Sequence, residues 1–376
     1  MVKSEWWWAP TTSHSSPVTA TKRNVPTHSQ ARLQSKMRWL LASLARPGMV
    51  AHIFLPMIRP LIVLGFLAFF APLAVPVRAQ DEGNLSVAAW VIADSTTGVV
   101  LDSANARREL QIGSITKIAT AMVVLDWAKA QGENLSEFAT VPDTITVLNS
   151  PNSIGLRAGD SISVRDALYA ALLQSDNESA ETLAVHVGRK LGRGRTDKEA
   201  SDFFVAQMNA LARKLGMRNT RFLNPHGLDD LEKKLPYSTA GDVALLTNYA
   251  VGQTGFAFFT SQRERRISWK AASGESPSYL LRNTNEMLGT DGVDGVKTGT
   301  TRRAGACVVI SAAKPPDSKQ VGDEHIIVPR RLTIVVLGAT SRFSVARSLL
   351  TRGWSLLDRW ARAGRPTKGW SPAASR

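Results

Sequence analysis

Apolar positions along this chain change period twice, and the changes divide it into strand, helix and strand again. From Val87 to Ser103 they form two short β-type runs around the turn-forming stretch Asp94 to Gly98, which predicts a hairpin. From Ser114 the spacing lengthens, with Ile115, Ile118, Ala119, Met122, Val123 and Leu125 recurring at helical intervals. Helical spacing holds through most of 114–250, including Val164 to Leu173 and Ala180 to Leu191 with a tight turn between them. Residues 293–313 and 329–338 return to strand patterning, and the Lys-, Asp- and Pro-rich segment Lys314 to Pro329 reads as an exposed loop between strands. Strands at both ends thus enclose a helical middle, and about 290 residues are enough to bury one substantial core.

Three short motifs sit on this framework in order: Ser114-Ile115-Thr116-Lys117, Ser175-Asp176-Asn177 and Lys297-Thr298-Gly299. Ser114 and Lys117 fall one turn apart on one helix face, so their side chains can meet. A serine hydroxyl is a weak nucleophile until a neighbour takes its proton, and a lysine does so when burial pushes it toward the neutral amine. The helix start also turns backbone N–H groups toward the place where an oxyanion would form. Ser175 and Asn177 lie on the turn between two helices, where a hydroxyl can relay protons and an amide can hold Lys117 while binding a substrate amide. Lys297 and Thr298 offer donors to an anion such as a substrate carboxylate, and Gly299 permits close backbone approach. A second S-x-x-K, Ser311 to Lys314, ends a β-type run before Pro315 and Pro316, so no helix brings its lysine over its serine.

With these motifs the chain resembles the D-alanyl-D-alanine carboxypeptidases, low-molecular-mass penicillin-binding proteins of the serine β-lactamase/transpeptidase-like superfamily. The likeness runs from about Val87 to Leu357. It includes Ala88 to Asp94 with Thr97-Gly98, Asn224-Pro225-His226-Gly227-Leu228, Ser238 to Asp242, Asn283-Thr284-Asn285 and Gly292 to Gly299. Gln111 stands where proline is common in the family, and Asp176 where glycine is frequent. The resemblance implies an α/β (α+β) fold: an antiparallel sheet flanked by helices, with an inserted helical subdomain and the site at their junction. It implies that Ser114 attacks the penultimate D-Ala carbonyl of a peptidoglycan stem peptide, releasing terminal D-Ala, and that water hydrolyses the acyl-enzyme. In that scheme Lys117 is the general base, and Ser175, Asn177 and Lys297 complete the proton and amide network. Also by resemblance, the N–H groups of Ser114 and Thr300 form the oxyanion hole, and Arg342 helps Thr298 hold the carboxylate beside Gly299. β-Lactam antibiotics would acylate the same serine.

Other readings use the same residues. A D,D-endopeptidase acting on cross-links shares the whole site. A serine β-lactamase needs a deacylating glutamate, for which Glu232 is the nearest candidate, without the asparagine that follows it in those enzymes. A non-catalytic wall-binding module is opposed by intact Ser114, Lys117 and Lys297.

The rest of the chain sets the setting. Leu61 to Val75 is an uncharged apolar stretch between Arg59 and Val77-Arg78-Ala79, which reads as a secretory signal cleaved after Ala79. The alternative is an uncleaved N-terminal anchor giving membrane association. The expected organisation is a leader or misassigned start over 1–50 (Met37 and Met49 being other possible starts), a signal peptide or anchor over 51–79, a catalytic domain over 80–358 and a short tail over 359–376. The protein is then exported, to the periplasm or the outer face of the cytoplasmic membrane. The net charge is +15, and residues 1–79 contribute about half of it, with nine Lys and Arg against one acid. The remaining surplus is ordinary for a soluble surface and does not point to nucleic acid. Cys307 cannot form an internal disulfide and is expected to be buried; His186, His226 and His325 lack metal-ligand spacing, so neither metal nor cofactor is expected. Of Trp354, Trp360 and Trp370, the first part is expected to pack as the last helix.

Overall fold

A computed structural model describes residues 86–369, apart from 149, 152, 193, 231–233 and 322–323. The expected leader and signal segment, Trp370 and Glu232 lie outside the described residues.

The main sheet has five antiparallel strands in the order β2-β1-β9-β8-β7. These are β1 (Val87–Asp94), β2 (Val100–Ala104), β7 (Val293–Thr301), β8 (Gly305–Val321) and β9 (Glu324–Ala339). The β1–β2 hairpin turns where the sequence placed it: Asp94 Oδ2 accepts from Thr97 N at 2.8 Å and Thr97 Oγ1 at 2.7 Å, and Gly98 takes the left-handed φ of +76°. Both faces of the sheet are buried, so its strands are apolar at consecutive positions. Ala89, Val91, Ala93, Val335 and Leu337 enter one core, while Trp90, Ile92, Leu332, Ile334 and Val336 enter the other.

The second core is covered by α7 (Arg342–Arg362), whose stripe Val345, Leu349, Gly353, Leu356 and Trp360 faces the sheet. Gly353 allows the helix to lie close, since a Cβ there would stand 3.0 Å from Leu332 Cδ1 and 3.1 Å from Ile92 Cγ2. The helix continues past the expected boundary at 358, and Trp360 Nε1 donates to Pro366 O at 3.0 Å, folding the following residues back.

The first core holds α1 (Lys117–Gln131), α2 (Val164–Tyr169), α3 (Asn177–Lys190), α4 (Asp197–Lys214), α5 (Ala240–Val251) and α6 (Thr254–Thr260). α1 is buried nearly all round, and Gly132 ends it in a left-handed C-cap with φ +65°. Ser238 to Asp242 is the N-cap of α5: Thr239 Oγ1 accepts from Asp242 N at 3.0 Å.

Two features differ from the sequence reading. Lys314 to Pro329 is not a loop, because β8 and β9 continue through it as a long hairpin, with the register shifting between Lys314 and Asp317 where Pro315 and Pro316 interrupt the ladder. A second, four-stranded antiparallel sheet in the order β3-β4-β5-β6 was not foreseen. It comprises β3 (Phe138–Thr140), β4 (Ser161–Ser163), β5 (Glu264–Lys270) and β6 (Ser278–Arg282).

Candidate active site

Ser114 sits in a single 3-10 turn, Gly113–Thr116, and the α-helix begins only at Lys117. This corrects the expected helix start but keeps its consequence, since residues three apart eclipse in a 3-10 turn. Lys117 Nζ donates to Ser114 Oγ at 3.0 Å. Its other partners are Asn177 Oδ1 at 2.6 Å and the backbone oxygen of His226 at 2.8 Å. These last two atoms can only accept, so when Lys117 loses a proton the lone pair it gains faces Ser114. Burial, partly opposed by the carboxylates of Asp176 and Glu178, lowers Lys117 from its usual 10.5 to about 7. A half-neutral amine beside a hydroxyl can draw off that hydroxyl's proton.

The second motif is set by a break in helix geometry. After α2 the chain runs through a π-type turn, Ala170–Gln174, then reverses at Ser175 with φ +66° before α3 starts at Asn177. Asp176, at the usual glycine position, caps α3: its Oδ1 accepts from Ser179 N at 2.7 Å and Ser179 Oγ at 2.6 Å, and its Oδ2 from Ser153 Oγ at 2.7 Å. Asn177 Nδ2 donates to Ser150 Oγ at 3.0 Å, which orients Oδ1 toward Lys117. Ser175, half-buried, is not among the partners of Lys117. Behind the turn Glu178 is buried, with Oε2 unpartnered, and burial together with Asp176 raises it to about 7.

The third motif lies on β7 against the serine turn. A Cβ on Gly299 would stand 2.8 Å from Ile112 O and 3.1 Å from the backbone nitrogens of Ser114 and Ile115. Glycine is therefore required for strand and turn to come together, as the sequence suggested. A Cβ on Gly113 would meet Thr300 N at 3.3 Å, so the N–H-bearing backbones of Ser114 and Thr300 lie side by side. Lys297 is fully buried and donates to Thr298 O at 3.0 Å; burial, with Lys117 and Arg342 adding repulsion, holds it well below its usual value. Arg342, at the start of α7, does not pair with Thr298. It donates to Gly299 O at 2.8 Å, to Cys307 O at 3.0 Å and to Thr300 Oγ1, bracing the end of β7. The partner of Thr298 is Thr284, their hydroxyls 2.6 Å apart.

Sequence reasoning gave no role to several of these groups. His226 contributes its backbone oxygen, and its buried ring, pushed down to about 3, accepts from Leu228 N at 3.2 Å. Asn224 closes that loop, accepting from Gly227 N at 2.7 Å and donating to Leu228 O at 2.8 Å. Asp229 accepts from Thr301 Oγ1 at 2.5 Å, tying loop to strand. Thr284 had a signal in Asn283-Thr284-Asn285, whose asparagines brace β7 and its neighbours through Thr260 O, Gln262 O and Gly295 O. Cys307 is buried as expected, and His186 packs edge-on to Trp127.

A family model described as D-alanyl-D-alanine carboxypeptidase matches residues 76–321. The chain is 32% identical over 302 residues to D-alanyl-D-alanine carboxypeptidase DacC of Escherichia coli, covering 78% of this chain and 68% of that protein. It is also 32% identical over 252 residues to the D-alanyl-D-alanine endopeptidase of E. coli, covering 64% of this chain and 73% of that one. Among solved structures, the Streptomyces K15 DD-transpeptidase aligns with a TM-score of 0.61 and 27% identity, covering 72% of this chain and 98% of the other. Penicillin-binding protein D2 of Listeria monocytogenes in its ampicillin-bound form aligns at 0.56 and 29%, covering 73% and 100%.

Proposed function

Because the chain belongs to the D-alanyl-D-alanine carboxypeptidase family of serine peptidases, we propose that it removes the terminal D-Ala of peptidoglycan stem peptides through an acyl-enzyme on Ser114. The observation that carries the residue assignment is the set of partners around Lys117, in which Ser114 is the one group able to give a proton.

Neutral Lys117 takes the Ser114 proton as Oγ bonds to the penultimate D-Ala carbonyl carbon. The carbonyl electron pair moves to oxygen, where the N–H groups of Ser114 and Thr300 stabilise it. Collapse expels D-Ala, whose amine receives the proton held by Lys117. Water then attacks the acyl carbon as Lys117 takes its proton, and Lys117 returns that proton to Ser114 Oγ as the acyl C–Oγ bond breaks and frees the shortened peptide. Asn177 holds Lys117 and meets the substrate amide, while Lys297, Thr298 and Gly299 receive the terminal carboxylate. Arg342 supports that pocket through Thr300. A β-lactam carries a strained amide into the same place and acylates Ser114. Export guided by Leu61 to Ala79 would deliver the enzyme to the periplasm or the outer face of the cytoplasmic membrane, where an uncleaved segment would also anchor it.

A second reading, cleavage of D,D-cross-links, is favoured by the relatives named D-alanyl-D-alanine endopeptidase. Incubation with a fluorescent penicillin and with a D-Ala-D-Ala peptide separates the two. D-Ala release with a long-lived label is expected, and a stable label without D-Ala release would favour cross-link cleavage. Ser114→Ala should abolish both signals in a folded protein; retained labelling would remove Ser114 as nucleophile.

A further inference from the structure

We infer that the arginine-lined groove at the C-terminal end of α4 is an exosite for the wall polymer itself, receiving free carboxylates of stem peptides next to the one being cut. The proposal rests on the reading of the substrate as peptidoglycan. The groove is a cavity of about 620 Å³, within the size range of small-ligand sites, and none of its lining residues belongs to the cluster around Ser114.

Arg213, Arg218 and Arg221 line it together with Tyr237. All three arginines are exposed, and among the described residues none of their guanidinium groups has a hydrogen-bond or ion-pair partner. Among the described residues, no carboxylate lines the cavity. Asp242, which is near in the chain fold, is occupied by Asn219 N at 2.8 Å and Thr220 Oγ1 at 2.7 Å. Three like charges in one concavity repel one another and raise the local potential, and an oxyanion relieves both effects. Guanidinium forks match carboxylates in pairs, a geometry that ammonium groups lack.

The groove is also firmly built. Asn209 donates to Phe222 O at 2.9 Å and accepts from Phe222 N at 3.0 Å, fixing the residue after Arg221. Arg221 and Tyr237 exchange backbone bonds of 2.9 and 3.1 Å, so their side chains start from opposed positions on a fixed pair. The next residue, Ser238, exchanges bonds of 2.8 and 2.9 Å with Leu110, just ahead of the serine turn. A polymer held in the groove is therefore held by a surface rigidly joined to the catalytic turn. A carboxylate-bearing repeat is the polyanion this enzyme meets as a consequence of its own reaction, because each strand presents many stem peptides.

The test compares the full enzyme with the triple variant Arg213→Gln, Arg218→Gln, Arg221→Gln. The variant is expected to keep kcat/KM for a soluble D-Ala-D-Ala pentapeptide within about twofold. It should bind insoluble peptidoglycan sacculi roughly tenfold more weakly at low salt, with a smaller further loss on adding salt. Equal sacculus binding by the two proteins would overturn the proposal. So would a parallel loss on the soluble peptide, which would make the arginines part of the catalytic scaffold. Undiminished binding of the unaltered enzyme to sacculi whose carboxylates have been amidated would overturn the ligand chemistry. Sacculus pelleting needs no turnover, so absence of D-Ala release would count against the assignment of Ser114 and leave the binding result readable.

Discussion

A Cβ added to Gly227 would stand 2.0 Å from the carbonyl oxygen of Gly113, so the loop that carries His226 and the turn that carries Ser114 touch backbone to backbone. Gly227 also has φ +86°, a conformation that side chains resist. Gly227→Ala is therefore expected to cost about 2–4 kcal/mol and to draw the His226 oxygen away from Lys117. Thermal unfolding should show the loss, and penicillin acylation should slow at least tenfold. An unchanged melting temperature would mean that the loop has room that the geometry denies.

The rate of acylation should rise with pH through about 7, where Lys117 passes from ammonium to amine. Below that point the neutral fraction falls roughly tenfold per pH unit, and the rate should fall with it. Labelling rates measured from pH 5 to 9 check this. An ascending limb displaced toward 10 would mean that Lys117 keeps its ordinary proton affinity, and a rate flat across this range would mean that another group serves as base.

Asp176 and Glu178 both favour the charged form of Lys117. Removing either charge while keeping shape should lower the Lys117 value, so Asp176→Asn and Glu178→Gln are expected to shift the acid limb to lower pH, by a few tenths of a unit up to about one. Glu178 itself, raised from 4.5 to about 7, binds protons more tightly in the folded state than in the unfolded chain. Its contribution to stability is thus fully present below about 4.5 and is lost as pH rises through about 7. Glu178→Gln should flatten that part of the stability profile, as read by urea midpoints at pH 5 and 8.

Cys307 is buried, its thiol donates to Ala304 O at 3.5 Å, and burial pushes its titration up to about 11. The folded enzyme should resist a disulfide reagent at pH 8 and react with one equivalent only on unfolding. Prompt reaction of the native protein would show that β8 opens readily beside the site.

The parts of the site that were legible in the sequence are those made by side chains of its short motifs, including the hold of Asn177 on Lys117 across 60 residues. Ser114 and Lys117 meet because they are three residues apart in a helical turn, and Gly299 was readable as a close-approach position. The carbonyl of His226 carries no sequence signal, because every residue has one and only folding aims it. The hairpin arms of β8 and β9 were misread because Pro315, Pro316 and their charged neighbours resemble a loop; a register shift absorbs the prolines and leaves the pairing intact. β3 and β4 are three residues each, too short for a period to be seen. The cap made by Asp176 could have been inferred from its place before an apolar helical run.

Burial lowers the proton affinity of Lys117, and the enclosure that buries it is drawn from distant parts of the chain, since its partners Asn177 and His226 lie 60 and 109 residues further on. In an unfolded chain that enclosure is absent, and the lysine beside Ser114 is a hydrated ammonium of ordinary strength. Nucleophilicity is thus a property conferred at the end of folding, and a nascent or misfolded copy is chemically silent toward any ester or amide it meets. Covalent capture of a penicillin would consequently count only completed molecules.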